Sequence, residues 1–336
     1  MRRIIGFVLI ASGAFVLVLG ILMPLYAYPN LARIDRGGLT HSVAEGSGMT
    51  VFDPESVNDP DLPVERHDVN LVVNRTVKGI TSAPEAKSHG NVTVWEIGLV
   101  IMDRDNPDPK KPVSVVEEKL CVNRQTGLAS EPCSSEYVKD PGRAEEYQEF
   151  TGRHKGQLYK FPFATERKDY RYFDTTLRSA PVARYVKDDQ VSGLNVYKFE
   201  QVISRTKIED REIPGRLLGE PDKDTVIADR YYENRRVMWV EPETGVIVKG
   251  TEDIRTTLED PSTGDSLTLL SGRIALTHDT IASNVDLASS GASKLHLLRV
   301  TAPWTLGIVG ILLALVGVWL AVTGRRRPAH ENVFVD

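Results

Sequence analysis

The chain has 336 residues and carries 41 basic and 46 acidic side chains, a formal net charge of −5. A mildly acidic balance argues against nucleic acid as a partner, because phosphate binding is driven by clustered Lys and Arg. Its two cysteines, with no histidine at ligand spacing beside them, argue equally against a thiolate metal centre.

From the N-terminus, Arg2 and Arg3 lead into 25 uncharged residues, Ile4 to Tyr28, and a second run of 25 extends from Val300 to Gly324 before Arg325, Arg326 and Arg327. A helix needs roughly 20 apolar residues at about 1.5 Å each to cross a bilayer. Both runs satisfy that length. Short basic flanks stay on the cytoplasmic side, so the reading is a two-pass plasma-membrane protein with both termini inside. Tyr26, Tyr28 and Trp304 fall at the outer ends of the spans, where amphipathic rings favour the interface. The expected divisions are a tip and transmembrane helix at 1–28, an extracytoplasmic β-rich domain at 29–282, a stalk helix at 283–301, a transmembrane helix at 302–324 and a cytoplasmic tail at 325–336. The other reading of the N-terminus is a signal peptide cleaved near Leu25-Tyr26-Ala27. The apolar run is longer than the usual 7–15 residues of such a peptide.

Residues 30–60 are rich in Gly, Ser, Asp and Pro and read as a loose exit from the first span. Beyond them the dominant period is two. Strands are expected over 68–77, 91–97, 193–203, 237–240, 246–254 and 266–276, where β-branched residues alternate with polar ones between turn residues. Alternation means one face buried and one wetted, as in antiparallel sheets. The expected fold class is therefore membrane-anchored and mainly β, an antiparallel meander or half-barrel between N- and C-terminal transmembrane helices.

Leu120–Ala129 can be laid over Met238–Ile247, 118 residues later, each reading as strand, a Thr-Gly turn and strand. The pair is open to two readings: similar halves at about 60–157 and 158–282, or convergent turn chemistry. Residues 134–149, polar and Glu-rich, are expected to form a surface helix. Val285, Ala288, Ala292, Leu295 and Leu298 recur at helical spacing in the stalk, with a kink expected at Pro303. Gly307, Gly310 and Gly317 read as a close-packing face that draws the two spans together.

Catalytic templates fail. The chain has no Gly-x-Ser-x-Gly elbow, no phosphate-binding Gly-Lys-Ser/Thr loop and no His-Glu-x-x-His, and its seven histidines are scattered singly. Asp103 to Pro109 lacks the Gly and distal Glu of a calcium loop. No metal, no cofactor and no enzymatic activity are expected, although a carboxylate pair set by three-dimensional separation would not show in spacing. Cys121 and Cys133 lie in the translocated part and read as one disulfide, with two free thiols as the other reading.

The densest unusual segment holds six of the chain's 20 Tyr and Phe within fifteen residues: Tyr159, Phe161, Phe163, Tyr170, Tyr172 and Phe173. One reading is a core strand pair whose rings fill the sheet. The other is an aromatic-lined groove for an acyl chain or sugar, with Lys160, Arg167 and Arg171 at its rim.

Several of these segments also carry a family resemblance. They are Met1-Arg2-Arg3-Ile4 and its span, Val51-Phe52-Asp53-Pro54, Tyr159-Lys160-Phe161-Pro162-Phe163, Tyr172-Phe173-Asp174-Thr175-Thr176, Ala228-Asp229-Arg230-Tyr231-Tyr232, Trp239 through Gly250, and Ser293-Lys294-Leu295 with the second span. Together they resemble an actinobacterial cell-envelope family labelled porin PorA, over nearly the whole chain. The resemblance implies an envelope setting and brings no catalytic residues. A fold-level analogy adds the curved half-barrels of periplasmic lipoprotein carriers. On that basis the expected function is a non-enzymatic envelope protein that binds, or helps export or mature, a lipid or lipid-linked glycan alongside envelope-biosynthesis proteins. The alternatives are a scaffold recruiting envelope enzymes and an oligomeric channel. A continuous apolar cavity within 60–280 would favour the first, and a fully packed interior the scaffold.

Overall fold

The computed structural model describes residues 2–323 apart from Pro109 and Thr151; the expected tail at 325–336 lies outside them. The chain divides into two compact units, residues 33–292 and the paired ends 1–32 with 293–336.

In the paired ends, helix α1 (Arg2–Leu22) is prolonged by a π turn (Met23–Ala27) and one further turn (Tyr28–Leu31). The C-terminal helix spans Ala302–Thr323, after a π turn at Leu297–Thr301. Both π turns have a proline in or just beyond them, Pro24 and Pro303; a missing N–H leaves a carbonyl one turn back unpaired, and the winding loosens there. The irregularity expected at Pro303 thus falls on the preceding turn. The two helices run antiparallel along a seam of glycines, and a Cβ added at Gly6 would lie 2.7 Å from the Gly317 carbonyl, one at Gly13 2.7 Å from that of Gly310. Seven-residue spacing of Gly6, Gly13 and Gly20, matched by Gly310 and Gly317, keeps this seam on one face and brings backbone against backbone. The large apolar side chains, Phe7, Phe15, Trp304 and Trp319 among them, point away from the seam and are exposed.

Residues 33–292 are built on one twelve-stranded sheet. Its strands are β1 (Leu39–Phe52), β2 (Glu65–Gly79), β3 (Val92–Asp103), β4 (Ser114–Asn123), β5 (Tyr137–Lys139), β6 (Glu149–Phe150), β7 (Tyr170–Arg171), β8 (Val182–Val191), β9 (Leu194–Pro214), β10 (Thr225–Val240), β11 (Ile247–Glu259) and β12 (Ser266–Leu276). The spatial order is β6-β5-β4-β3-β2-β1-β12-β11-β10-β9-β8-β7, with every neighbouring pair antiparallel. Helix α2 (His278–His296) follows β12, so the C-terminal helix above is α3.

The sheet is open, yet its flanks are linked through the backbone around Gln157. Isolated bridges run Val122 to Ala129, Leu128 to Gln157 and Gln157 to Tyr172. The Gln157 N–H donates to the Arg171 carbonyl at 2.8 Å, and the Phe173 N–H to that of Gln157 at 3.0 Å. Alternate residues face inward and form the core: Met49, Val51, Leu71 and Val73 in one cluster, Phe161, Phe199, Met238 and Val240 in another. Each such side chain contributes roughly 1.5–3 kcal/mol by leaving water.

Two expectations need correction. Residues 30–60 are not a loose exit: β1 occupies the middle of the sheet between β2 and β12. Its middle carries small and polar residues, Ser42, Ala44, Gly46 and Gly48, which erase the apolar period. A Cβ on Gly46 would meet the Met49 Sδ at 2.8 Å, so space decides this residue rather than turn formation. Residues 134–149 hold no surface helix; they form β5, a 3₁₀ turn (Glu145–Tyr147) and the start of β6. Pro141-Gly142 interrupts the segment, and it has no apolar stripe to bury against the sheet. Cys121 and Cys133 are joined as a disulfide.

Candidate functional site

The inner face of the sheet encloses a cavity of about 970 Å³. Part of its wall is apolar, with Leu99, Ile101, Ile254 and Ile274 among the lining residues, and part is charged, including Arg66, Asp103 and Lys111 and a floor around Arg236. The interior is therefore neither fully packed nor continuously apolar.

The floor is set by inward positions of β9, β10 and β11 and by Asp174 from the segment between β7 and β8. On β10, Tyr232, Asn234 and Arg236 share the parity of Met238 and Val240; on β11, Glu252 shares that of Ile254. Arg236 is the hub. Its Nη2 donates to Asp174 Oδ2 and to Glu252 Oε2, both at 3.0 Å, and its Nη1 donates to Gln201 Oε1 at 2.7 Å. The Tyr232 hydroxyl donates to Asp174 Oδ2 at 3.0 Å, and the Asn234 amide to Glu252 Oε2 at 2.7 Å. Burial alone would raise the Glu252 pKa; the adjacent Arg236 outweighs it and holds the carboxyl at about 2. Burial also pushes the Tyr232 phenol well above its ordinary value. The pair is worth keeping only as a whole, because buried ions repay their desolvation through partners.

A second cluster joins β4 to the flanking segments. His154 is enclosed between Glu118 and Glu136, with Nε2 3.0 Å from Glu118 Oε1 and Nδ1 2.9 Å from Glu136 Oε2. Glu118 also accepts from the hydroxyls of Tyr159 and Thr175. Burial would lower the His154 pKa, but the two carboxylates outweigh it and raise it.

The aromatic segment has a definite place. Phe161 is fully buried and stacks on Phe199 (4.6 Å between centroids) and Tyr172 (5.7 Å), with Tyr170 edge-on at 5.3 Å. Phe173 lies against the His154 ring, and Phe163 under the Lys160 ammonium at 3.8 Å. Of the nine residues singled out from sequence, Tyr159, Tyr172 and Phe173 line the cavity. Arg167 sits apart on the surface, forked onto Asp188, and Arg171 donates to the Ala180 carbonyl at 3.4 Å. Lys160 is turned inward: Nζ donates to the carbonyls of Thr244 (2.6 Å) and Phe161 (2.8 Å), and burial draws its pKa down to about 7.

Sequence reading missed Arg75, Glu118, Asp174, Tyr232, Arg236 and Glu252. Four of these gave a usable signal. Arg75 shares the parity of Leu71, Val73 and Val77, Glu118 that of Leu120 and Val122, and Arg236 and Glu252 likewise sit on apolar parity. A charge on the buried side of an alternating strand must find partners inside.

Comparison with known proteins places the chain. The family model described as Porin PorA matches residues 5–319. A protein named Porin PorA from Corynebacterium resistens is 25% identical over 99% of this chain and 100% of its own length. Another of that name, from Corynebacterium amycolatum, is 24% identical over 94% of this chain and 98% of its own. These names correct the expectation of a protein that binds or exports a lipid or lipid-linked glycan: the relatives are porins by name, and the charged floor is unlike the continuous apolar cavity that reading required. Matched over residues 5–319, the chain belongs to the Porin PorA family.

Proposed function

We propose that this protein is a non-enzymatic, channel-forming component of the cell envelope, and that several copies assemble around one pore. The observation that carries this reading is the match to a porin family across both apolar helices and the sheet together. The sheet itself is unsuited to be the pore wall in lipid. Its outward positions include Arg184, Glu200, Arg235 and Arg255, whereas a transmembrane barrel needs an apolar outer band. The crossing elements are then α1 and α3, with the sheet on the outer side and the arginine-flanked termini inside.

Two helices sealed along a glycine seam enclose no water, so the pore lies between copies. Among the described residues between their ends, the outer faces of the spans carry few polar groups, Ser12, Thr301, Thr305 and Thr323, and Thr305 and Thr323 turn their hydroxyls to their own backbone. Such a ring makes a narrow, hydrophobic constriction that conducts when wetted. Purified full-length protein in planar bilayers should give discrete conductance steps, and cross-linking in the membrane should trap species above the monomer. A monomer without conductance in bilayers that carry the protein would sink the reading.

A further inference from the structure

The hydrogen bonds of the cavity floor leave one cationic side chain without a partner. Asp174 accepts from Tyr232, Arg236 and the Leu177 N–H; Glu252 accepts from Arg236 and Asn234; Glu118 accepts from Tyr159 and Thr175 and faces His154. Arg75, from β2, stands on the same floor. Among the described residues its side chain makes no hydrogen bond and no ion pair. Its Nε is buried without a partner, and its guanidinium carbon rests 5.5 Å from the Tyr159 ring centroid. Glu252 is near enough to feel its charge, and its Oε2 is already taken by Arg236 and Asn234. The Tyr172 hydroxyl also lines this cavity and has no hydrogen-bond partner among the described residues.

An unmatched guanidinium presents five donors in a planar fork suited to a carboxylate or phosphate. Buried donors without acceptors are costly, and native structures keep few of them. Here the fork opens into a space of about 970 Å³, at the upper end of small-molecule pockets. Above it the wall is apolar, formed by Leu99, Ile101, Val116 and Ile254. One wall therefore suits a hydrocarbon body and the floor suits an anionic head.

We propose that this cavity binds a small, water-soluble organic anion, its carboxylate or phosphate on Arg75 and Tyr172 and its body against the apolar wall. The site does not depend on the channel reading: a protein can conduct without it, or bind without conducting.

The test uses full-length protein in nanodiscs of neutral lipid, with benzoate and inorganic phosphate as probes, read by saturation-transfer NMR and titration calorimetry. Benzoate should bind. Arg75→Gln should weaken it at least tenfold, with little change in melting temperature because the Arg75 side chain makes no hydrogen bond and no ion pair. Val116→Trp, which fills the wall and leaves Arg75 in place, should abolish binding by a separate route. Three results would overturn the proposal: no binding by a protein with a native melting curve, benzoate affinity untouched by both substitutions, or binding of phosphate alone, which would mark an inorganic-anion site only.

Discussion

Gly127 and Gly245 stand in equivalent turns and hold one short segment between them. The Gly127 carbonyl accepts from the Leu158 N–H at 3.1 Å, and the Gly245 carbonyl from the Phe161 N–H at 2.8 Å. Both glycines have positive φ (70° and 72°), and each donates its own N–H to the residue four before it, Asn123 or Glu241. In each turn a threonine hydroxyl, from Thr126 or Thr244, accepts the N–H two residues on at 3.3 Å. Tyr159 and Lys160, between the clamped residues, deliver the phenol to Glu118 and the amine to the Thr244 carbonyl. Two turns from distant parts of the chain thus position the segment that closes the charged floor.

This clamp predicts a graded cost for alanine at glycine. A Cβ on Gly245 would lie 2.1 Å from the Phe161 carbonyl oxygen, whereas Gly264, at φ 79° in a third turn of the same kind, has nothing within 4 Å. Gly264→Ala should lose about 1–2 kcal/mol, the conformational cost of positive φ alone. Gly245→Ala must also push the segment away and should lose at least about 3 kcal/mol. Hydrogen exchange at the Phe161 amide should accelerate in the second variant only; equal losses in both would refute the clamp.

The third turn shows where the sequence was legible. Asp260-Pro261-Ser262-Thr263-Gly264-Asp265 repeats the pattern, yet it passed unremarked because its flanks carry no aromatic or cysteine to draw attention. β12 was read with its observed bounds, and β2, β3, β9 and β11 were placed, since β-branched alternation reports a half-buried strand directly. β1 was lost because its neighbours, not its own side chains, make it a strand: eleven of its residues pair with β2. The aromatic segment was visible by density. The floor was not, because Arg236 and Glu252 meet through sheet register and Asp174 reaches them from the segment after β7, and spacing along the chain carries no trace of that.

Lys160 gives a pH prediction. Its amine titrates near 7 in the folded protein, while a lysine in the unfolded chain does so at about 10.4. Between those values the unfolded state binds the extra proton, so stability should rise with pH across the window and stay level below it. Lys160→Met should flatten this rise. At about 1.4 kcal/mol per pH unit the difference between the two curves is at most a few kcal/mol. A wild-type-minus-variant difference that does not change between pH 7 and 10 would refute it.

The glycine seam predicts a positional contrast within one helix. Gly310 lies 2.7 Å, by its absent Cβ, from the Leu17 Cγ and 2.9 Å from the Gly13 carbonyl, whereas Gly307 meets nothing within 4 Å. Gly310→Ile should part the helices, and Gly307→Ile should leave them paired. Disulfide trapping between cysteines introduced along the seam reads the difference. Loss of trapping in both variants, or in neither, would contradict the packing.

Arg236→Met tests the hub of the floor, and the informative variable is pH. Removing Arg236 strands Asp174 and Glu252 in the interior, which should lose about 3–5 kcal/mol at pH 7. In the wild type Glu252 is held at about 2, below the unfolded value of about 4.3. Its contribution is therefore full above that value and fades as pH falls toward 2. In the variant the balance reverses, because burial without Arg236 raises the carboxyl pKa and protonation then relieves the stranded charge. The stability gap between the two proteins should narrow steadily from pH 7 to pH 3. Adding Glu252→Gln to Arg236→Met should recover part of the loss at pH 7 and weaken that narrowing. Chemical denaturation at fixed pH measures all three, and a gap constant across the range would show that Arg236 acts by packing and not by its charge.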